Sequence, residues 1–413
     1  MSAYEIYPKI HTFSNGMRLV YLERKALVAH LGVMILGGSR YERPDEEGLA
    51  HFLEHCIFKG TQKRKALDIF SDLDSVGGEL NAYTNKEEIC IHASFRKDHF
   101  GIASELIGDI VQNASFPEEE LGKEREVVLD EIISYLDSPS ERIFDDFENH
   151  VFKNHSLGYN TLGSKESVSG FRREHLMNYM HRFFKASNMV LSFVGDLPFD
   201  TVIKQLEEDF GKMNGGDVQD IVTQPNAFEP FKIREKQANY QTHTVIGGQA
   251  PSYHDENRRA MTLLTNVLGG PALNSRLTLL IREQYGYAYN IEAGYSSYSD
   301  SGLWSIYMGT DRKYLDRALA LIYKELAIIR NRGLSKVELE QAKEQLKGHL
   351  ALSLDSNLEL MFSLAKSVLI HGKVDSVAEI YRQVDAISEA EIAEVANTHF
   401  DPSQLGELVY EYD

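Results

Sequence analysis

LDSPSERIF (136–144) and LDSNLELMF (354–362) carry Leu, Asp, Ser, Glu and Phe at matching positions, 218 residues apart in a chain of 413. Earlier in each half, Asp45, Glu46, Ala50 and Gly60 return as Asp255, Glu256, Ala260 and Gly270, at a spacing of 210. Each half also closes alike: Phe184 and Ser187 precede MVLSFVG (189–195), and Phe400 and Ser403 precede ELVYEY (407–412). The order is kept while the spacing drifts by a few residues, which is what a duplication produces. The expected organisation is therefore a domain over 1–212, a linker over 213–240 and a second copy over 241–413. The linker segment carries paired glycines, two prolines and no sustained period.

Each copy has mixed periodicity. Residues 29–36 and 190–195 are apolar runs ending near glycine and predict strands, while 100–113, 118–135, 315–330 and 335–352 have the 3.6-residue spacing of amphipathic helices. Pro117 suits a first helical turn, and Ser335 is a candidate N-cap. ELNAYT (79–84) and EICIHASF (88–95) predict a hairpin across Asn85, Lys86 and Glu87. The fold class expected is α+β, with two duplicated domains, each a mostly antiparallel sheet packed with helices.

Composition narrows the function. A hydrophobic fraction of 43% over this length supports more than one core. No apolar run approaches the roughly 20 residues a spanning helix needs, so no membrane partner is expected. The net charge of −19, without a basic run, argues against nucleic acid and suits neutral or basic peptides. Two cysteines, Cys56 and Cys90, form no disulfide framework, and the N-terminus lacks the features of a signal or transit peptide. The expected location is cytoplasmic, although a trimmed export signal would leave the same sequence.

The chemistry concentrates in GLAHFLEHCIF (48–58). Leu49, Phe52, Leu53 and Cys56 form an i, i+3, i+4, i+7 core stripe, leaving His51, Glu54 and His55 on another side. Imidazoles one helical turn apart can converge on one ion, and Glu54 beside them can accept a proton from an activated water. A third ligand is required, and the helix EREVVLDEII (124–133) offers Glu124 and Glu131, two turns apart on one face. Residue types alone leave either carboxylate open. In the second copy, His51, Glu54, His55 and Glu131 align with Met261, Leu264, Thr265 and His349. The fold therefore does not require those side chains, and their joint presence in one copy points to function.

The H-x-x-E-H pattern is the inverzincin signature, and the chain resembles, over nearly its whole length, half-length members of the pitrilysin, insulinase and mitochondrial-processing-peptidase family. That resemblance implies zinc ligands His51, His55 and Glu131, the last following His55 after 75 intervening residues within an E-x6-E pattern. It implies Glu54 as the catalytic base and Glu124 as a residue orienting a ligand. GELNAYT (78–84) is similar to the family's substrate-binding edge strand, which places Asn81 and Ala82 at the peptide. SRLTLLIREQYGYAYNI (275–291) is similar to the segment bearing its Arg-x6-Tyr pair, which makes Arg282 and Tyr289 the carry-over. Tyr285, Tyr287 and Arg276 nearby leave the choice of tyrosine open.

The function implied is a zinc-dependent endopeptidase acting on short or unfolded peptides in a chamber built by a homodimer, or by pairing with a related chain. Rival expectations are a non-catalytic structural member and a peptide-binding module with a vestigial metal.

Overall fold

The computed structural model describes residues 7–216, 218, 223–238 and 240–412. Residues 1–6, 217, 219–222, 239 and 413 lie outside the described residues, and with them part of the expected linker. The chain forms two compact units, each assembled from three segments: Met1–Ile132, Asn160–Val222 and Ala351–Glu379 in unit 1, and Ile133–Tyr159, Thr223–Leu350 and Ile380–Asp413 in unit 2.

Unit 1 is built on a six-stranded sheet of β1 (Lys9–Thr12), β2 (Arg18–Glu23), β3 (Val28–Leu36), β4 (Glu79–Thr84), β5 (Glu88–Arg96) and β6 (Met189–Gly195), in the order β1-β2-β6-β3-β5-β4. All neighbours are antiparallel except β2 and β6. The inner face is covered by α1 (Leu49–Ile57), α2 (Ala66–Asp74), α3 (Phe100–Asn113) and α4 (Glu118–Leu136). Residues of α6 (Lys165–Gly170), α7 (Arg173–Phe183) and α8 (Phe199–Phe210) join the same core. Cover on both faces explains why β3 and β6 are largely apolar rather than alternating.

Unit 2 repeats the plan with β7 (Lys232–Gln237), β8 (Thr242–Gln249), β9 (Ala288–Ser297), β10 (Gly302–Thr310) and β11 (Gly406–Tyr412), in the order β7-β11-β8-β10-β9. Only the β7/β11 pair is parallel, matching β2/β6. Its inner face carries α9 (Arg258–Gly269), α10 (Leu315–Arg332), α11 (Lys336–Ser353) and α14 (Glu389–His399), with Val384 of α13 (Val377–Asp385) in the same cluster. The fold is thus α+β and duplicated, as the repeat predicts.

The expected boundaries at 212 and 241 follow the repeat along the chain, whereas the compact units cut across it. The reason lies in the outer faces of the sheets. The helix that follows the first LDS motif, α5 (Pro139–Val151), places Ile143, Phe147 and Val151 on the outer face of the unit 2 sheet, with Val245, Leu408 and Tyr410. The helix that follows the second, α12 (Asn357–His371), places Met361, Leu364 and Val368 on the unit 1 sheet, with Met34, Val190 and Val194. Each repeat thus lends one helix to the other's sheet, and the chain changes unit within α4 and within α11.

Local expectations hold closely. α3 and β4 coincide with their predicted ranges, and β5 extends one residue further. Ser335 caps α11 reciprocally, its hydroxyl accepting from Glu338 N at 3.3 Å while Glu338 Oε2 accepts from Ser335 N at 2.8 Å.

Candidate functional site

The site rests on how α1 begins. Gly48 precedes the helix in a left-handed conformation (φ 88°), and a Cβ there would lie 2.6 Å from Gly163 Cα. A side chain is therefore excluded by backbone and space together. In place of a Ser or Asp cap, Glu42 accepts from Gly48 N at 2.9 Å and from Ala50 N at 2.7 Å. These bonds satisfy donors that a helix start leaves open. Burial pushes the Glu42 carboxyl well above its usual range, against the pull of those two donors. The stripe Leu49, Phe52, Leu53 and Cys56 is fully buried, and this fixes the rotation of α1.

That rotation brings the His51 and His55 rings together in a T-shaped arrangement, with ring centroids 4.6 Å apart. Glu131 Oε2 on α4 lies 3.8 Å from His51 Nε2 and 3.4 Å from His55 Nε2. One ligand atom from each of the three lies within 4.8 Å of the others. Among the described residues no other trio of His, Cys, Asp or Glu meets this condition. Neighbouring ligand atoms around a tetrahedral zinc with bonds of about 2.0–2.1 Å sit roughly 3.3 Å apart, so the spacing fits. His51 is buried, and burial followed by the neighbouring His55 lowers its pKa to about 4, which keeps the imidazole neutral as a metal ligand must be. Its Nδ1 has no hydrogen-bond partner among the described residues.

Glu124, buried two turns earlier on α4, puts Oε2 3.5 Å from His55 Nδ1 and Oε1 2.8 Å from Lys59 Nζ. The nitrogen of His55 turned away from Glu131 thus faces a carboxylate, the arrangement that orients a ligating histidine. Glu54 sits on the same side of α1. Burial raises its carboxyl, while Thr84 and His55 pull it down and Glu131 raises it. The Thr84 hydroxyl also donates to Ala50 O at 3.5 Å, tying β4 to α1.

β4 is an edge strand. Asn81 and Ala82 lie in it, and the Asn81 Oδ1 accepts from Ala82 N at 2.8 Å. An outward-facing donor of the edge is therefore held by its own neighbour, which blunts an open strand.

Arg282 and Tyr289 belong to unit 2. Arg282 lies in a π-helical stretch, Thr278–Gln284, and its guanidinium stands 4.9 Å from the centroid of the exposed Tyr289 ring on β9. Arg276 is held by Glu325 and Glu338, and Tyr287 stacks on Tyr314 at 4.8 Å. Of the alternatives left open by sequence, only Tyr289 pairs with Arg282 in this way.

Sequence reasoning did not find Glu42, Lys59 or Thr84. Glu42 sits in SRYERPDEE (39–47), which reads as a turn. The available signal was the lack of a capping side chain at Gly48.

Residues 19–165 match the family described as Insulinase (Peptidase family M16), and residues 170–346 match the Peptidase M16 inactive domain. A Bacillus subtilis protein named uncharacterized zinc protease YmxG is 36% identical, with 92% of each chain covered. An uncharacterized zinc protease of Rickettsia bellii is 32% identical over 90% of each. Among solved structures, a protease from Helicobacter pylori has a TM-score of 0.88 at 19% identity, covering 98% of this chain and 100% of that one. A Pseudomonas fluorescens structure titled as a peptidase M16 inactive domain has 0.91 at 17% identity, covering 98% of each. At these identities the structural likeness is one of fold.

Proposed function

This chain belongs to the insulinase family, peptidase family M16, and from that premise we propose that it is a zinc-dependent endopeptidase that hydrolyses peptide bonds in short or unfolded peptides. The observation that carries the reading is the convergence of His51, His55 and Glu131 with Glu54 beside them.

His51, His55 and Glu131 would hold the zinc, which when bound supplies a Lewis acid that acidifies water and polarises a carbonyl. Glu124 holds the His55 ring in register. Glu54 takes a proton from the attacking water on its carboxylate and returns it to the amine nitrogen of the leaving group. The β4 edge receives the peptide in extended form, the incoming carbonyl replacing Asn81 Oδ1 at Ala82 N. Arg282 and Tyr289 are assigned to substrate carbonyl oxygens, with Arg282 already seated against the Tyr289 ring. A homodimer is the proposed working assembly. A cytoplasmic location is supported by two buried free cysteines, Cys56 and Cys90. No described helix is long and apolar enough to cross a membrane.

The test combines zinc analysis with cleavage of unstructured peptides. The purified protein is expected to hold one zinc per chain and to cleave, and Glu54→Gln is expected to keep the metal while losing about 10²–10⁴-fold in turnover. A zinc-loaded protein that cleaves no peptide would leave the non-catalytic reading in its place.

A further inference from the structure

α2 exposes more apolar surface than a solvated helix needs. Ile69 and Leu73 are fully buried, yet Leu67 is 75% exposed and Phe70 40% exposed, three residues apart on one face. The two flanks of α2 differ. On one, Asp72 accepts from Arg64 Nε at 2.8 Å, and the same guanidinium bonds Glu105 and Asp109 of α3. Phe70 stands about 160° around the helix from Asp72, on the flank turned away from α3. There Lys59 Nζ lies 5.5 Å from the Phe70 centroid and 2.8 Å from Glu124, whose other oxygen faces His55. Phe70 is therefore linked through two side chains to the candidate zinc site.

β4 passes over both helices. At its far end Thr84 is tied to Ala50 of α1. At its near end the chain lies on α2, since a Cβ on Gly78 would come 2.7 Å from Leu73 Cγ. α3 packs against β5 and β3, whereas α2 packs against β4, the sheet edge. The free flank of α2 thus lies beyond that edge, where an added strand would run. Alternate residues of such a strand face inward, about 6.6–6.8 Å apart. A peptide bond held beside Glu54 then carries an inward side chain over Phe70 one or two pleats further on.

We propose that Phe70, Leu67 and the methylene stem of Lys59 form a subsite for a large apolar side chain of the peptide substrate, two or four residues from the bond cleaved. The Lys59 charge is met by Glu124, so the subsite selects apolar bulk over acidity. This rests on the peptidase reading, and the experiment separates the two.

Matched peptides carrying Leu or Ser at the second and fourth residues on either side of the cleaved bond are compared by kcat/KM. Wild type is expected to favour Leu at one of these positions by about tenfold or more. Phe70→Ala combined with Leu67→Ala is expected to bring that ratio towards unity at unchanged zinc content, and Phe70→Leu to restore most of it. Both sites are exposed, so folding tolerates the changes, and an unaltered Tm verifies this. An unaltered Leu/Ser ratio in the double variant overturns the subsite. If no peptide is cleaved, hydrolysis is overturned instead, and the subsite is judged by affinity. A Leu/Ser difference in peptide binding to Glu54→Gln protein that Phe70→Ala abolishes supports it, and equal binding overturns it.

Discussion

Helices α1 and α9 occupy the same place in two copies of one plan, and their interiors are opposite in kind. In unit 1, α1 sets His51, Glu54 and His55 against Glu124 and Glu131 of α4. In unit 2, α9 sets Met261, Leu264 and Thr265 at the corresponding positions, all buried, and the counterparts on α11 are Ala342 and His349. Thr265 needs nothing outside its helix, since its hydroxyl donates to Met261 O at 2.9 Å. The frame is therefore stable when packed with apolar groups. The polar set in unit 1 is an expense to the fold, with one imidazole nitrogen left without a partner. An ion held between His51, His55 and Glu131 would add stability by binding only the folded chain.

The most severe change gives unit 1 the residue of unit 2. His51→Met is expected to reduce zinc from one equivalent to background and turnover with it, while the chain still folds. Metal analysis beside circular dichroism checks this, and a variant that retains zinc would remove His51 from the ligand set. The next effect concerns Glu124, whose counterpart is Ala342. Glu124→Ala frees His55 Nδ1 and is expected to weaken zinc binding about 10–100-fold, read by competition with a chelator.

The smallest effect concerns the outer faces of the sheets. Under α5, His243 Nδ1 is hydrogen-bonded to Tyr307 Oη at 2.9 Å, whereas under α12, His92 Nδ1 is buried without a partner among the described residues and its ring meets Phe362 edge-on at 4.8 Å. Burial, then the nearby His30, lowers the His92 pKa to about 4, against roughly 6.5 in an unfolded chain. The unfolded chain takes up the proton first, so the stability that His92 confers above about pH 6.5 is lost as the pH falls towards 4. Tm should drop by a few degrees between pH 7 and 5, and by less in His92→Gln. Equal acid sensitivity of the two proteins would assign the drop to other groups.

The inner face of α1 was legible because burial and helical period coincide: Leu49, Phe52, Leu53 and Cys56 are all at zero exposure. The trio was legible because its spacing along the chain survives folding, with Glu131 meeting both histidines. Glu42 was not, since a cap reached from six and eight residues away obeys no local period. The π-helical turn holding Arg282 was also hidden, because TLLIREQ (278–284) has the composition of an ordinary helix. The repeat revealed two copies but not which sheet α5 and α12 would cover. An amphipathic helix carries the need for an apolar partner, and either outer face meets that need.

The exchange of α5 and α12 has a bearing on ancestry. A lone ancestral repeat with its LDS helix directed outwards would have left one sheet face bare and one helix unhoused. Two copies trading helices would have met both needs, which is the topology of a domain-swapped dimer. In the present chain the trade takes place within one polypeptide, at fixed stoichiometry and whatever the protein concentration. With pairing secured by the chain itself, neither copy needs to be self-complementary, and α9 carries no histidine where α1 carries two.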